Sequence, residues 1–301
     1  MNFTGVFPIL PTPFKPDQSV DLASFTRIVH FMRDLGVDGV TILGVLGEAN
    51  RLTDKEREAI TKVAVTAAGG LPVIVGTSHS GTQACIDLSQ MAADLGANAI
   101  MVTPHQEAVP NEDRIFEHFA AVANGVPLPM VLQDHPGSTG VNMSLDLVLR
   151  MITDIPGVAC IKQEALPSPF RVAALVAQMS RKLPILTGLG ALYGAFELTA
   201  GADGFMTGFA FPEVLVAIVA AHASRDPDRA FAIYQQSLPL LVFEAQPGVA
   251  IRKHLFMQRG LIDSDTVRKP ASGINDLAAT QLSELLSRVV GDVDLTQPIS
   301  V

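Results

Sequence analysis

A chain of 301 residues with 48% apolar and 17% charged side chains is long enough to bury a large core and too apolar to stay unfolded. Its formal net charge of −9 offers no broad basic surface for a phosphate backbone, so no nucleic acid is expected as a partner, although a local anion site is compatible with it. Two cysteines, Cys85 and Cys160, are too few for a disulfide framework and lie in segments that read as regular structure, so both are expected to be buried thiols in a reducing cytoplasm.

The N-terminus has no positively charged leader and no apolar run is long enough to span a bilayer, so the expectation is a cytoplasmic protein with no membrane partner. Short runs rich in Val, Ile and Leu alternate with longer amphipathic segments, the pattern of a parallel sheet covered by helices. Strands are predicted at 5–10, 37–43, 72–77, 98–103, 129–134, 158–163, 184–187 and 203–207. Helix starts are marked by Asp21, by Thr53 with Glu56 as a capping box, and by Ser144. Leu35-Gly36, Leu95-Gly96 and Ala200-Gly201 each end a helix with glycine and launch a strand, while Leu71-Pro72, Leu128-Pro129 and Leu183-Pro184 set proline at a strand start.

Both repeats are signs of a βα unit, and no linker or charge block divides them. The fold class is therefore α/β, a (β/α)8 TIM barrel over residues 1–225 with a C-terminal helical extension over 226–301. The extension is predicted as helices at 227–244, 248–260 and 275–290, packed on the barrel or on a neighbouring subunit.

In such a barrel the chemistry lies at the C-terminal strand ends. Those ends carry Gly44-Val45-Leu46-Gly47-Glu48, Ser78-His79, Pro104-His105, Gln133-Asp134-His135, Lys162-Gln163-Glu164, Gly188 and Thr207-Gly208. Lys162 is the residue to explain, an amine in the apolar run Gly157-Val158-Ala159-Cys160-Ile161. Burial penalises the charged form of an amine, and a neutral lysine is a nucleophile toward a ketone. The structural alternative is a lysine that extends to solvent or pairs with Glu164. Gly44, Val45, Leu46 and Gly47 can turn successive backbone N–H groups inward as a nest for a carboxylate, or form a plain βα turn. Lysine and nest together describe a 2-oxo acid site. His79, His105 and His135 close three consecutive strands and, with Asp134, form the alternative of a divalent-metal hydrolase site.

Five motifs in order, Pro11-Thr12-Pro13-Phe14, Gly44-x-x-Gly47-Glu48, Pro136-x-x-Thr139-Gly140, Ile161-Lys162-x-Glu164 and Gly260-Leu261 with Arg268-x-Pro270, resemble the dihydrodipicolinate synthase / N-acetylneuraminate lyase superfamily of class I, Schiff-base aldolases. The resemblance runs the whole length of the chain. It implies Lys162 as the Schiff-base lysine, the Val45-Leu46 loop as the substrate carboxylate site, and a homo-oligomer, dimer or tetramer. Departures from the family pattern are equally specific. Val45 and Leu46 fall where two threonines are usual, Gln133 where a proton-shuttling tyrosine is usual, His105-Gln106 where a tyrosine pair is usual, and Ser138 where synthases carry an arginine. A glutamine is no general acid or base, which counts against lysine-biosynthesis synthase activity.

The expected function is a Schiff-base lyase, an aldolase or dehydratase, acting on a small-molecule 2-oxo acid such as a 2-keto-3-deoxy sugar acid, with no cofactor and no bound metal. Lys162 is the expected nucleophile, Gln133 orients water or substrate, and His135 or Glu164 carries protons. His105 and Ser138 are expected to line the distal pocket, with Gly188, Met206 and Thr207 completing the substrate-binding set. Besides the metal hydrolase, synthase-type condensation of pyruvate with an aldehyde and a non-catalytic ligand-binding barrel are the alternatives.

Overall fold

A computed structural model describes residues 1–108, 111–246 and 248–301. Eight parallel strands form one sheet: β1 (Gly5–Val6), β2 (Val40–Ile42), β3 (Val73–Gly76), β4 (Ala99–Val102), β5 (Met130–Asp134), β6 (Val158–Gln163), β7 (Ile185–Thr187) and β8 (Gly204–Phe205). Pairing runs in chain order from β2 to β8, and β8 pairs with β1. The ring closes beyond β1, where Ile9 bridges Thr41 and Leu10 N donates to the Thr41 carbonyl at 2.9 Å. Each strand falls inside its predicted range. β1 is shorter than 5–10 because Pro8 has no N–H to donate, and bonding resumes at Ile9, whose N–H reaches the Thr207 carbonyl at 2.9 Å.

Alternation along the strands sorts the apolar residues into two layers. Phe7, Ile9, Ile74, Met101, Val131, Cys160, Leu186 and Met206 fill the barrel interior. Val40, Ile42, Val75, Val102, Leu132 and Ile161 face outward and meet the helices. The helix starts are as the sequence indicates: the Asp21 carboxylate accepts from Ala23 and Ser24 N–H, Thr53 and Glu56 form a reciprocal capping box, and Ser144 caps Leu147. Gly36 closes the first helix in the left-handed region at φ 80°, and Gly96 and Gly201 repeat that conformation at 90° and 106°. Cys85 and Cys160 are both buried free thiols.

The C-terminal helices Pro227–Ala245, Val249–Gln258 and Asp276–Val289 match their predicted ranges to within two residues. They fold back on the barrel of the same chain. Arg268 bonds Glu56 through both Nη atoms, at 2.7 and 2.8 Å, with its guanidinium carbon 4.3 Å from the centre of the Phe14 ring. Lys253, fully buried, pairs with Glu48, the residue that closes the loop after β2. Arg259 holds Glu213 at 2.7 Å. These pairs, the last two buried and the first half-buried, fix the helical segment over the C-terminal rim of the strands.

Candidate active site

The same alternation decides what β6 presents. Cys160 points into the barrel, so Lys162 and Glu164 share that inward face above it. β5 pairs with β6 in a register that sets Gln133 directly beside Lys162. All three side chains are buried, and they converge on one oxygen. Glu164 Oε2 accepts from Gln133 Nε2 at 2.6 Å and lies 3.3 Å from Lys162 Nζ. The sequence alternative of a Lys162–Glu164 pair is thus realised inside the cavity rather than at the surface. The other oxygen, Oε1, accepts from Leu189 N–H at 3.1 Å. Burial pushes the Glu164 carboxyl up, but Lys162 and the Gln133 and Leu189 hydrogen bonds outweigh it and hold the group below the ordinary glutamate value.

His135 extends β5 to the cavity edge, its Nδ1 3.8 Å from Glu164 Oε2 and 2.8 Å from Ser138 Oγ. Burial pushes this histidine below its ordinary value, so the imidazole is neutral at pH 7. Gly188 makes room for Glu164: a Cβ there would sit 1.9 Å from Oε1. Thr207 Oγ1 accepts from Gly190 N–H at 2.8 Å and ties the loop after β7 to the end of β8.

The loop after β2 forms a single 3-10 turn at Val45–Gly47, with Gly47 N bonded to Gly44 O at 3.0 Å. The N–H groups of Val45 and Leu46 precede the first bond of that turn and have no partner within it. Two adjacent donors at the edge of the cavity make an anion cradle from backbone alone.

Lys162, Gln133, Glu164, His135, Val45, Leu46 and Thr207 line one cavity of about 300 Å³. The remaining predicted site residues lie elsewhere. Gly44 faces Ile9 and Met101 in the barrel interior, and Gly47 packs on Leu10 and Thr12. Met206 faces inward but is sealed in the interior core below the site, in the layer of Cys160 and Leu186. Ser138 is exposed and reaches the site only through His135. His105 does not line the distal pocket. It opens with His118 onto a second depression, because β4 ends at Val102 and the following loop turns outward. The metal-hydrolase alternative loses its geometry with that separation: His79 is exposed and hydrogen-bonds Gly81 N, and no group of three His, Cys, Asp or Glu side chains among the described residues could hold a metal ion.

Sequence reasoning missed one side of the cavity. Leu189, Gly190, Leu192 and Tyr193 come from the loop after β7, and Leu241, Glu244, Ala245, Gly248 and Arg252 from the C-terminal helices. The signal available was Arg252-Lys253, two charges between the buried Ile251 and Leu255 of a helix that is otherwise apolar on that side.

A closed (β/α)8 barrel with a buried lysine on the sixth strand, a carboxylate within reach of it and two free backbone donors in the same cavity has the make-up of a lyase of the class I aldolase type. More particularly, the chain belongs to the dihydrodipicolinate synthetase family, whose model matches residues 2–289. L-2-keto-3-deoxyarabonate dehydratase of Azospirillum brasilense is 35% identical over 292 residues, covering 95% of this chain and 94% of the relative. Among solved structures, dihydrodipicolinate synthase from Rhodopseudomonas palustris superposes with a TM-score of 0.90 at 34% identity, covering 95% of this chain and 97% of that one. YagE, a family member from E. coli K12 solved in complex with pyruvate, gives a TM-score of 0.88 at 27% identity, covering 96% and 99%. Among the described residues no helix is long and apolar enough to cross a membrane.

Proposed function

We propose that this chain is a Schiff-base dehydratase of a 2-keto-3-deoxy sugar acid, with Lys162 as nucleophile and Glu164 as the proton carrier. The observation that carries the proposal is the 3.3 Å separation of Lys162 Nζ and Glu164 Oε2 at the base of the cavity. The dehydratase from A. brasilense, similar over nearly the whole of both chains, supports the choice of reaction.

Attack on the C2 carbonyl requires the neutral amine, and Glu164 is the group within reach of its proton. Loss of the carbonyl oxygen as water leaves an iminium between Lys162 and C2, while the Val45 and Leu46 amides hold the C1 carboxylate. The iminium draws electrons from C3, so Glu164 can remove a C3 proton and form an enamine. The enamine then expels the C4 hydroxyl. The C4–O bond breaks, the departing oxygen takes the proton held by Glu164, and a conjugated iminium remains. Water at C2 releases the product as a 2-oxo acid and restores Lys162. Gln133 positions Glu164 throughout by donating to Oε2. The protein works as a homo-oligomer in a reducing cytoplasm, a setting that its two buried free thiols support.

Synthase-type condensation of pyruvate with an aldehyde has the R. palustris neighbour in its favour, and the glutamine at position 133 against it, since condensation needs a proton shuttle that an amide does not provide. The test is to incubate the protein with 2-keto-3-deoxypentonate, reduce with borohydride and map the adduct by mass spectrometry. Mass gained on Lys162 is expected, and NMR of the unreduced mixture should show dehydration without release of pyruvate. If a panel of 2-oxo acids leaves Lys162 unmodified, the proposal fails.

A further inference from the structure

The outer wall of the active cavity comes from the C-terminal helices, and most of what it offers a substrate is apolar: Leu241, Ala245 and Gly248. Its polar members are Glu244 and Arg252, each 3% exposed. Arg252 Nε donates to Glu244 Oε1 at 2.6 Å, and Nη2 donates to the same oxygen and to the Gly208 carbonyl at 2.7 Å. Glu244 Oε2 accepts from Ala210 N–H at 2.9 Å. Every donor and acceptor of the pair is engaged except Arg252 Nη1, which is buried without a hydrogen-bond partner among the described residues.

A guanidinium N–H buried without a partner opposes folding, so its place in the lining of a cavity points to an acceptor that arrives with a ligand. Nη1 lies over Gly208 at the end of β8, where a Cβ would be 2.1 Å from Nη1 and 2.9 Å from Leu46 Cδ1.

We infer that Arg252 Nη1 is the donor that binds a hydroxyl oxygen on the substrate tail, with Glu244 holding the guanidinium in place. The inference rests on the Schiff-base reading of Lys162. On that reading C2 is tethered at Lys162 and C1 at the Val45 and Leu46 amides, and because Arg252 lines the same cavity the carbons beyond C3 are assigned to its wall. Burial pushes the Glu244 carboxyl up and Arg252 and the Ala210 N–H pull against it; with two of its nitrogens committed to Glu244, the guanidinium offers the cavity a single N–H donor and no fork for a second carboxylate. That favours a neutral hydroxyl over a second carboxylate, which needs an uncompensated cation or several donors once desolvated.

The test uses three five-carbon 2-oxo acids: 4,5-dihydroxy-2-oxopentanoate, 4-hydroxy-2-oxopentanoate, which lacks the terminal hydroxyl, and 4-hydroxy-2-oxoglutarate, which replaces it with a carboxylate. Wild-type kcat/KM is expected to be highest on the dihydroxy acid. Arg252→Met combined with Glu244→Gln removes both buried charges together, so neither is stranded. It should lower kcat/KM on the dihydroxy acid by about ten- to a hundredfold, chiefly through KM, and by several-fold less on the 4-hydroxy acid. Gly208→Ala keeps both charged residues and crowds Nη1 and also the Leu46 side chain; a disturbance at Leu46 acts on both hydroxy acids alike, so the readout is the ratio of their kcat/KM values, which should fall as in the double variant whether or not that variant folds. Equal losses on both hydroxy acids in the Gly208 variant, or a wild-type preference for the dicarboxylate, would overturn the assignment. If wild-type Lys162 forms no borohydride-trapped adduct with pyruvate, the Schiff-base reading falls and this one with it. If adduct and turnover are present and the losses are equal, this one falls alone.

Discussion

Lys162 and Glu164 leave β6 two residues apart on the same inward face, their charged ends 3.3 Å from each other in a cavity where both are buried. A strand alternates its side chains with period two, so no loop is needed to bring nucleophile and proton carrier together. The arrangement also separates their tasks. In the proposed mechanism the lysine holds the substrate, and the glutamate takes the C3 proton and passes it to the departing oxygen.

Glu164→Gln should therefore separate adduct formation from turnover. The amide keeps the size of the side chain and can still meet Lys162, but it cannot accept and return a C3 proton. Turnover of the sugar acid is expected to fall by about 10²–10⁴, the usual worth of a general acid–base group. A pyruvate adduct on Lys162 should still be trapped by borohydride, more slowly than in wild type. Mass spectrometry of the reduced protein, set beside the steady-state rate, checks both halves; parallel loss of the two would remove Glu164 from the proton-transfer steps after adduct formation.

Gln133 acts on the same carboxylate through one hydrogen bond of 2.6 Å. Burial pushes Glu164 up, and Lys162 and the donated hydrogen bonds more than offset it. Gln133→Leu deletes one stabilising donor to the ionised form, so the carboxyl of the variant should titrate higher than in wild type. If Glu164 must be ionised to accept a proton, the acid limb of kcat/KM against pH moves to higher pH in the variant. A profile whose acid limb does not move, with only its height reduced, would mean that Gln133 merely packs there.

How far the sequence carried these assignments depended on the range of the interaction. The eight strands were legible because each is a short apolar run, and the helix starts because Asp21, Thr53 with Glu56, and Ser144 act on backbone within three residues of themselves. Lys162 was legible as a charge in an apolar strand. Which strand-end residues face the cavity was not, since that depends on where each strand stops: His105 follows β4 by three residues and opens onto a different depression, while Met206 alternates into the core. Arg252 and Glu244 were invisible for another reason. They belong to helices that meet the barrel rim through long-range packing and ion pairs, and although Arg252-Lys253 stands out as a charged pair among apolar residues, nothing local in the sequence states which part of the rim it covers.

Gly188 offers a steric test of the same site. A methyl group at this position would lie 1.9 Å from Glu164 Oε1 and 2.3 Å from its carboxyl carbon. Gly188→Ala must push the carboxylate away from its partners at Leu189, Gln133 and Lys162. A displacement of about 1 Å in a reacting group is enough to cost about 10² in rate, so kcat should fall by at least that factor. Lys162 itself is not touched, and the trapped pyruvate adduct should persist. Wild-type turnover in the alanine variant would show that the cavity tolerates Glu164 in more than one position.

Glu197 gives a stability signature outside the site. It is fully buried, with Oε1 accepting from the Ser168 hydroxyl and Oε2 unpartnered among the described residues. Burial pushes its carboxyl from the ordinary 4.5 up to about 7. Between those values the folded chain keeps a proton that the unfolded chain has lost, so the contribution to stability is complete below pH 4.5 and declines as pH rises through 7. Glu197→Gln is neutral throughout, still accepts from Ser168, and gains an amide donor facing the unpartnered Thr187 hydroxyl. The variant should match wild type near pH 4.5 and exceed it above pH 7 by on the order of 3 kcal/mol, since each tenfold change in proton affinity between folded and unfolded chains is worth about 1.4 kcal/mol. Thermal unfolding of both proteins at pH 5 and pH 8 reads this as a Tm difference that opens with pH, by about 2–4 °C for each kcal/mol in a chain of this size. An advantage of the same size at both pH values would mean that Glu197 is ionised in the folded protein, with the unpartnered oxygen reached by water.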